Sequence, residues 1–309
     1  MTTEKLSGLI APVFTPMQEN GEIRTDVIAD YAGELIANHI SGVFVCGSSG
    51  EGMLLGVEER QQIVEAWAPF ADQLKLIVHV GCTAYKDAQL LAKHAQKQGA
   101  WAISSMGPVF LQPQHIPQLV EYCAKISSAA PDLPFYYYHM PVRTNITLSM
   151  PDFLVAGSKT MPNLAGIKYS HTNFMEMHQC LMLDNGKYDI VHGHDEVLLC
   201  GLSLGIKAAI GVTYNFIPGL YHQIIASYNC NNMKKAREYQ AFSVKLMEVI
   251  KKFGGGIPTG KAIQTLCGID CGPCRTPLKS LTSDECLRLK TELDKIGFFT
   301  FRKTGNSSL

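Results

Sequence analysis

The chain has no surplus of charge of either sign. Lys and Arg together number 27, Asp and Glu also number 27, and the formal net charge over the 309 residues is zero. Without a basic surplus there is no electrostatic footprint for a nucleic-acid backbone or an anionic membrane surface. A long apolar run is missing too, since none approaches the ~20 residues needed to cross a bilayer. The opening "MTTEKLSG" is polar and lacks the apolar centre of a secretory signal. Ten cysteines are present, but most stand alone in apolar segments, as Cys46 and Cys200 do, and a chain this long is not a disulfide scaffold. These features predict a soluble, cytoplasmic protein that engages neither nucleic acid nor membrane.

Two sequence signatures are likewise absent. The one tight cysteine pair, Cys271-Gly-Pro-Cys274, has the spacing of a redox or zinc half-site, but no second ligand pair of similar form accompanies it. It reads as a Gly-Pro turn carrying two thiols, and no metal or organic cofactor is expected. After the first apolar stretch comes "FTPMQENG", not the glycine-rich fingerprint that a doubly wound nucleotide-binding sheet would need.

What the chain does have is rhythm. Short apolar runs at 8–14, 42–47, 74–81, 101–107, 135–139, 164–168, 188–193 and 208–213 read as buried strands. Amphipathic segments separate them. In "YKDAQLLAKHAQKQGA", Ala88, Leu91, Ala92 and Ala95 recur at helical spacing, and Gly99 follows as a stop. Eight strands alternating with helices predict an α/β fold, a (β/α)8 TIM barrel over residues 1–230. Residues 231–300 read as appended C-terminal helices of the same domain, because no long Pro/Ser-rich linker precedes them, and 301–309 as a disordered tail.

In such a barrel the chemistry lies at the C-terminal ends of the strands. The run at 164–168 ends in Lys168, where another apolar residue would fit. An ammonium buried there must be paired, exposed or neutral, and a neutral amine is a nucleophile. The second strand ends in "CGSSGEGM", where glycines and the hydroxyls of Ser48 and Ser49 suit a small anion, although a Gly-Ser-Ser-Gly run by itself is usually a flexible turn. The fifth ends in "FYYYHMPVRTN". Tyr136 and Tyr138 share one face there and Tyr137 the other, so a phenol at the tip could pass a proton. The seventh ends in "VHGHDEVLL", with His192 and His194 spaced like a metal pair and with Asp195 and Glu196 behind them, where they could simply cap the next helix.

Taken together, "GLIAPVFTPM", "GSSGEG", "YYYHMP", "GIKYS", "HGHDE" and "GVTYN" resemble the family of class I pyruvate aldolases that takes in dihydrodipicolinate synthase and N-acetylneuraminate lyase, over nearly the whole chain. "PFYYYHMP" and "HGHDE" look most like the animal-type sialate lyases. The resemblance implies that Lys168 forms a Schiff base with a keto carbon, that Tyr138 shuttles a proton, and that Ser48 and Ser49 hold the pyruvyl carboxylate. Ser170, Gly193, Asp195 and Glu196 would then contact the polyhydroxyl part of a keto-sugar acid. The implied reaction is cleavage of N-acetylneuraminate to N-acetylmannosamine and pyruvate, and the implied assembly is a homotetramer.

Two positions depart from the sialate-lyase pattern. Arg143 stands where those enzymes typically carry leucine and the synthases carry arginine, and its fork suits a carboxylate on a second substrate. Val212 replaces a serine used near the sugar, and it cannot donate that hydrogen bond. Against the synthase pattern, Phe110 occupies the place of a proton-relay tyrosine. A pyruvate-dependent aldolase or synthase with a different, carboxylate-bearing aldehyde is therefore the alternative.

Overall fold

The computed structural model describes residues 4–305, with side chains to 302. Eight strands pair in parallel in chain order and close into a barrel. They are β1 (Gly8–Ala11), β2 (Gly42–Val45), β3 (Lys75–His79), β4 (Ala102–Ser105), β5 (Phe135–His139), β6 (Leu164–Tyr169), β7 (Asp189–His192) and β8 (Ala208–Ile210). β8 pairs with β1, aligning Gly8 with Ala208 and Ile10 with Ile210. This is the (β/α)8 arrangement predicted from the alternation of apolar runs.

Most paired segments are shorter than the apolar runs that announce them, because the chain leaves the sheet as soon as it reaches the mouth. β1 stops before Pro12, which has no N–H to offer the ladder. β2 stops before Cys46, which turns to a left-handed φ of 56°. The side chains divide as strand alternation requires. In β3, Leu76 and Val78 pack outward under the helices, while Ile77 joins Ile10, Phe44, Tyr136 and Tyr138 inside the barrel. Both faces are apolar, as expected of a parallel sheet covered by helices.

The helix Tyr85–Lys97 buries Ala88, Leu91, Ala92 and Ala95, the face that its spacing predicts. At the C-terminal end, helices Met233–Lys252, Pro258–Leu266 and Ser283–Lys295 pack Leu246, Ile250, Ile263 and Leu289 into the same apolar shell that surrounds the strands. A further helix, Phe298–Gly305, occupies the start of the segment expected to be disordered from residue 301. Its order has a packing cause. Phe301 lies against Tyr239 and Phe242, with ring centroids 6.0 and 5.3 Å apart, and Arg302 pairs with Glu34 at 2.5 Å. Residues 306–309 of the expected tail lie outside the described residues. Among the described residues, no helix is long and apolar enough to cross a membrane.

Candidate active site

Strand alternation decides where Lys168 points. Ile167 and Tyr169 on β6 belong to the outer apolar shell, so Lys168 between them faces the barrel interior. It is only 4% exposed. Its Nζ lies 3.7 Å from the centre of the Phe44 ring and 3.9 Å from that of Tyr138. Burial pushes its basicity well below that of an ordinary lysine, and the Asp195 carboxylate pulls weakly the other way. The two ring faces also favour a cation. Burial is the largest effect, and it favours the neutral amine with its free lone pair.

Tyr138 stands beside it, aligned with Lys168 in the β5–β6 register. Its hydroxyl lies 3.4 Å from Ser48 Oγ and donates to Met140 Sδ at 3.4 Å. Burial raises its pKa above that of an ordinary tyrosine, while the hydroxyls of Ser48 and Ser170 and the charge of Arg143 oppose the rise. Tyr138 is thus a neutral phenol with hydroxyl neighbours, suited to passing a proton along rather than standing ready as a phenolate.

Ser48 and Ser49 lie in the turn after β2, Ser48 exposed at the mouth and Ser49 half-buried. Ser170 follows β6, and its backbone N–H donates to the His139 carbonyl at 2.8 Å. Gly193 fits against it so closely that a Cβ there would meet Ser170 Oγ at 2.0 Å, so only glycine leaves the serine in place. Asp195 is 4% exposed, and its Oδ2 accepts from the Thr213 backbone N–H at 2.7 Å and from the Thr213 hydroxyl at 2.6 Å. Burial pushes the Asp195 carboxyl up to about 6, against the pull of those two hydrogen bonds. Both of these contacts hold Asp195 within the protein, where its carboxylate opposes the fall in Lys168 basicity. Glu196, half-exposed, faces His194 Nδ1 at 3.8 Å. Arg143 is exposed in the short helix Pro141–Thr144, on the wall of a cleft of about 390 Å³ that Ser48, Met53, Met106, Met140 and Leu278 also line.

The structure therefore gathers Ser48, Lys168 and Ser170 around Tyr138, with the Asp195 carboxylate acting on Lys168 and Arg143 on the cleft wall. The two histidines of the seventh strand end behave differently. His192 is fully buried and stacks on Phe174, away from the mouth. Among the described residues no group of three or more His, Cys, Asp or Glu could hold a metal ion. Cys271 is buried, Cys274 half-buried, and both are free thiols.

Three contributors escaped the sequence reading. Phe44 reads as one more apolar strand residue, and only barrel closure sets it against the amine. Thr213 was visible as the end of an apolar run, but nothing in the sequence links it to Asp195. His79 ends β3 with its ring 5.8 Å from that of Tyr138, and its Nδ1 donates to the Cys46 carbonyl at 3.1 Å. Burial, first, and the nearby Arg60 charge push its basicity well below that of an ordinary histidine. A polar residue closing an apolar run, as in "KLIVHVG", was the available signal.

Comparison with known proteins gives a consistent result. The model of the dihydrodipicolinate synthetase family matches residues 5–296. N-acetylneuraminate lyase A of Xenopus laevis is 38% identical over 298 residues, 95% of this chain and 97% of that protein. The human N-acetylneuraminate lyase is 34% identical, covering 98% of this chain and 97% of its own. Among solved structures, the Proteus mirabilis N-acetylneuraminate lyase superimposes with a TM-score of 0.93 at 36% identity, over 96% of this chain and all of that one.

Proposed function

This chain belongs to the dihydrodipicolinate synthetase family, and we propose that Lys168 is its Schiff-base nucleophile. The protein is a carbon–carbon lyase that cleaves N-acetylneuraminate to N-acetylmannosamine and pyruvate. The observation that carries the residue assignment is a buried lysine, inside a barrel mouth, whose basicity burial lowers well below the ordinary value.

In this reading the amine attacks the keto carbon of the substrate and water leaves, giving a protonated imine. The imine draws electrons from the C3–C4 bond, which breaks as the C4 hydroxyl loses its proton. Tyr138 takes that proton and later returns one to the enamine carbon. As a neutral phenol it accepts a proton only while handing its own to Ser48 Oγ, 3.4 Å away, which in turn passes its own to the substrate carboxylate it holds; the reverse transfer supplies the enamine carbon. Hydrolysis of the pyruvyl imine then frees Lys168. Ser48 and Ser49 hold the carboxylate, while Ser170, Gly193, Asp195 and Glu196 face the polyol. Asp195 in its ionised form also balances the positive imine.

Arg143 supports a second reading, in which the aldehyde partner bears a carboxylate. It concerns substrate choice and leaves the imine chemistry unchanged. The compartment we propose is the cytosol, in keeping with free thiols buried in the apolar shell such as Cys123 and Cys180. The assembly we propose is a homotetramer, which sedimentation analysis would test.

Borohydride trapping with pyruvate tests the mechanism. A pyruvyl imine is reduced to a stable secondary amine, so one adduct per chain, mapped to Lys168, is the expected outcome. Well-folded protein without an adduct would remove the Schiff-base mechanism.

A further inference from the structure

The turn that carries Ser48 and Ser49 is closed by Glu51. Its N–H donates to the Ser48 carbonyl at 3.1 Å, and the next N–H, of Gly52, donates to the Gly47 carbonyl at 3.0 Å. Glu51 adopts a left-handed φ of 56°, a conformation unfavourable for a non-glycine residue. Something must hold it there. At Gly52 a Cβ would come within 1.8 Å of the Cys46 carbonyl oxygen, so the chain can pass only as glycine.

The Glu51 side chain is held by the C-terminal helical layer. Oε2 accepts the backbone N–H of Arg275 at 2.7 Å, and Oε1 lies 2.7 Å from Nζ of Lys261, in the helix Pro258–Leu266. The two side chains are 0% and 3% exposed. Lys261 also donates to the Pro273 carbonyl at 2.7 Å, and Arg275 grips Glu59 through two contacts of 2.6 and 2.7 Å. A buried ion pair is weak evidence for stability, because desolvation cancels much of its attraction. Its placement says more than its energy. One end lies on the turn that faces the substrate, and the other belongs to a helix outside the barrel.

We propose that the Glu51–Lys261 pair positions the Ser48–Ser49 turn for the substrate's carboxylate, which makes the C-terminal layer part of the pyruvyl-binding apparatus. The proposal rests on reading that turn as the carboxylate site. Lys261 acts in two ways. It anchors the strained turn, and it neutralises a carboxylate that would otherwise stand three residues from an incoming anion in a low-dielectric setting. Glu51 and Lys261 are positioning residues, and neither needs to touch substrate.

The test is borohydride trapping of the pyruvyl adduct across a range of pyruvate concentrations, on the full chain. Lys261→Met should raise the half-saturating pyruvate concentration about tenfold, while saturating pyruvate still gives one adduct per chain on Lys168. The double variant Glu51→Gln/Lys261→Met leaves no unpaired charge and should return to within about threefold of wild type. A merely structural role would lower the folded fraction without moving the half-saturation point. Should Lys261→Met not accumulate in folded form, Lys261→Gln, which keeps a donor for Pro273 and Glu51, takes its place with an expected rise of about threefold or more. A wild-type half-saturation point in either folded single variant overturns the proposal. Absence of any adduct in the wild type would instead remove the Schiff-base reading beneath it.

Discussion

Tyr138 and Lys168 face each other across neighbouring strands, aligned in the β5–β6 register. The proposed proton carrier and the proposed nucleophile are thus set by backbone hydrogen bonds rather than by loops, and each has little freedom to drift. Rigid strands suit a reaction in which one group must hold the substrate's keto carbon while the other reaches the C4 hydroxyl.

Replacing Lys168 by methionine keeps the bulk of the side chain and removes the amine. Turnover of sialic acid should fall at least about a thousandfold, or about 4 kcal/mol of barrier. The borohydride adduct should vanish, and thermal stability should be unchanged or higher, because a desolvated polar group is gone. Normal turnover in this variant would refute the imine mechanism.

Tyr138→Phe removes one oxygen from a buried hydroxyl cluster. A proton-transfer group of this type is worth about 10²–10⁴ in rate, so kcat should drop by that order while trapping of pyruvate at Lys168 persists. Stopped-flow detection of pyruvate release separates the two effects. An unchanged kcat would send the proton by another route.

Asp195 gives a pH signature. Its carboxyl is pushed up to about 6 by burial, so the counter-charge to the protonated imine is lost as pH falls through that value. Activity should show an acid limb near pH 6, and Thr213→Val, which deletes a donor to the carboxylate, should move that limb to higher pH. The stability effect has the opposite sign. A carboxyl raised in the folded state stabilises the fold most below its ordinary value, near 4, and this contribution is lost as pH rises through 6. The acid limb should therefore appear without a drop in melting temperature from this group. Rate–pH profiles beside thermal melts decide it, and a limb that ignores Thr213→Val would exclude Asp195 as its source.

Arg143 marks the rim of the cleft. Arg143→Leu should shift the ratio of kcat/KM for sialic acid over that for a carboxylate-bearing aldehyde, such as aspartate semialdehyde, by about tenfold or more toward sialic acid. Competition assays measure this ratio directly. No shift would place the guanidinium outside the substrate's reach.

Much of this molecule was determined locally, and that part could be read from the sequence. Apolar runs of buried-strand length, helical spacing such as Ala88-Leu91-Ala92-Ala95, and one lysine closing an apolar run are short-range patterns. They are enough to place strands, helices and the buried Lys168, because each depends on neighbours within a few residues. The reading of the segment from 301 as disordered failed where Phe301 found distant partners in Tyr239 and Phe242. The contacts that tune the site were decided by the tertiary structure alone. Phe44 meets Lys168 across the barrel interior, Thr213 reaches back to Asp195, and Lys261 reaches Glu51 from a helix outside the sheet. Closure and register bring these pairs together over long stretches of chain, and residues so far apart in sequence leave no periodic trace. The position of Lys168 at the end of an apolar run was local information. The lowered basicity of its amine follows from what the closed barrel packs around it.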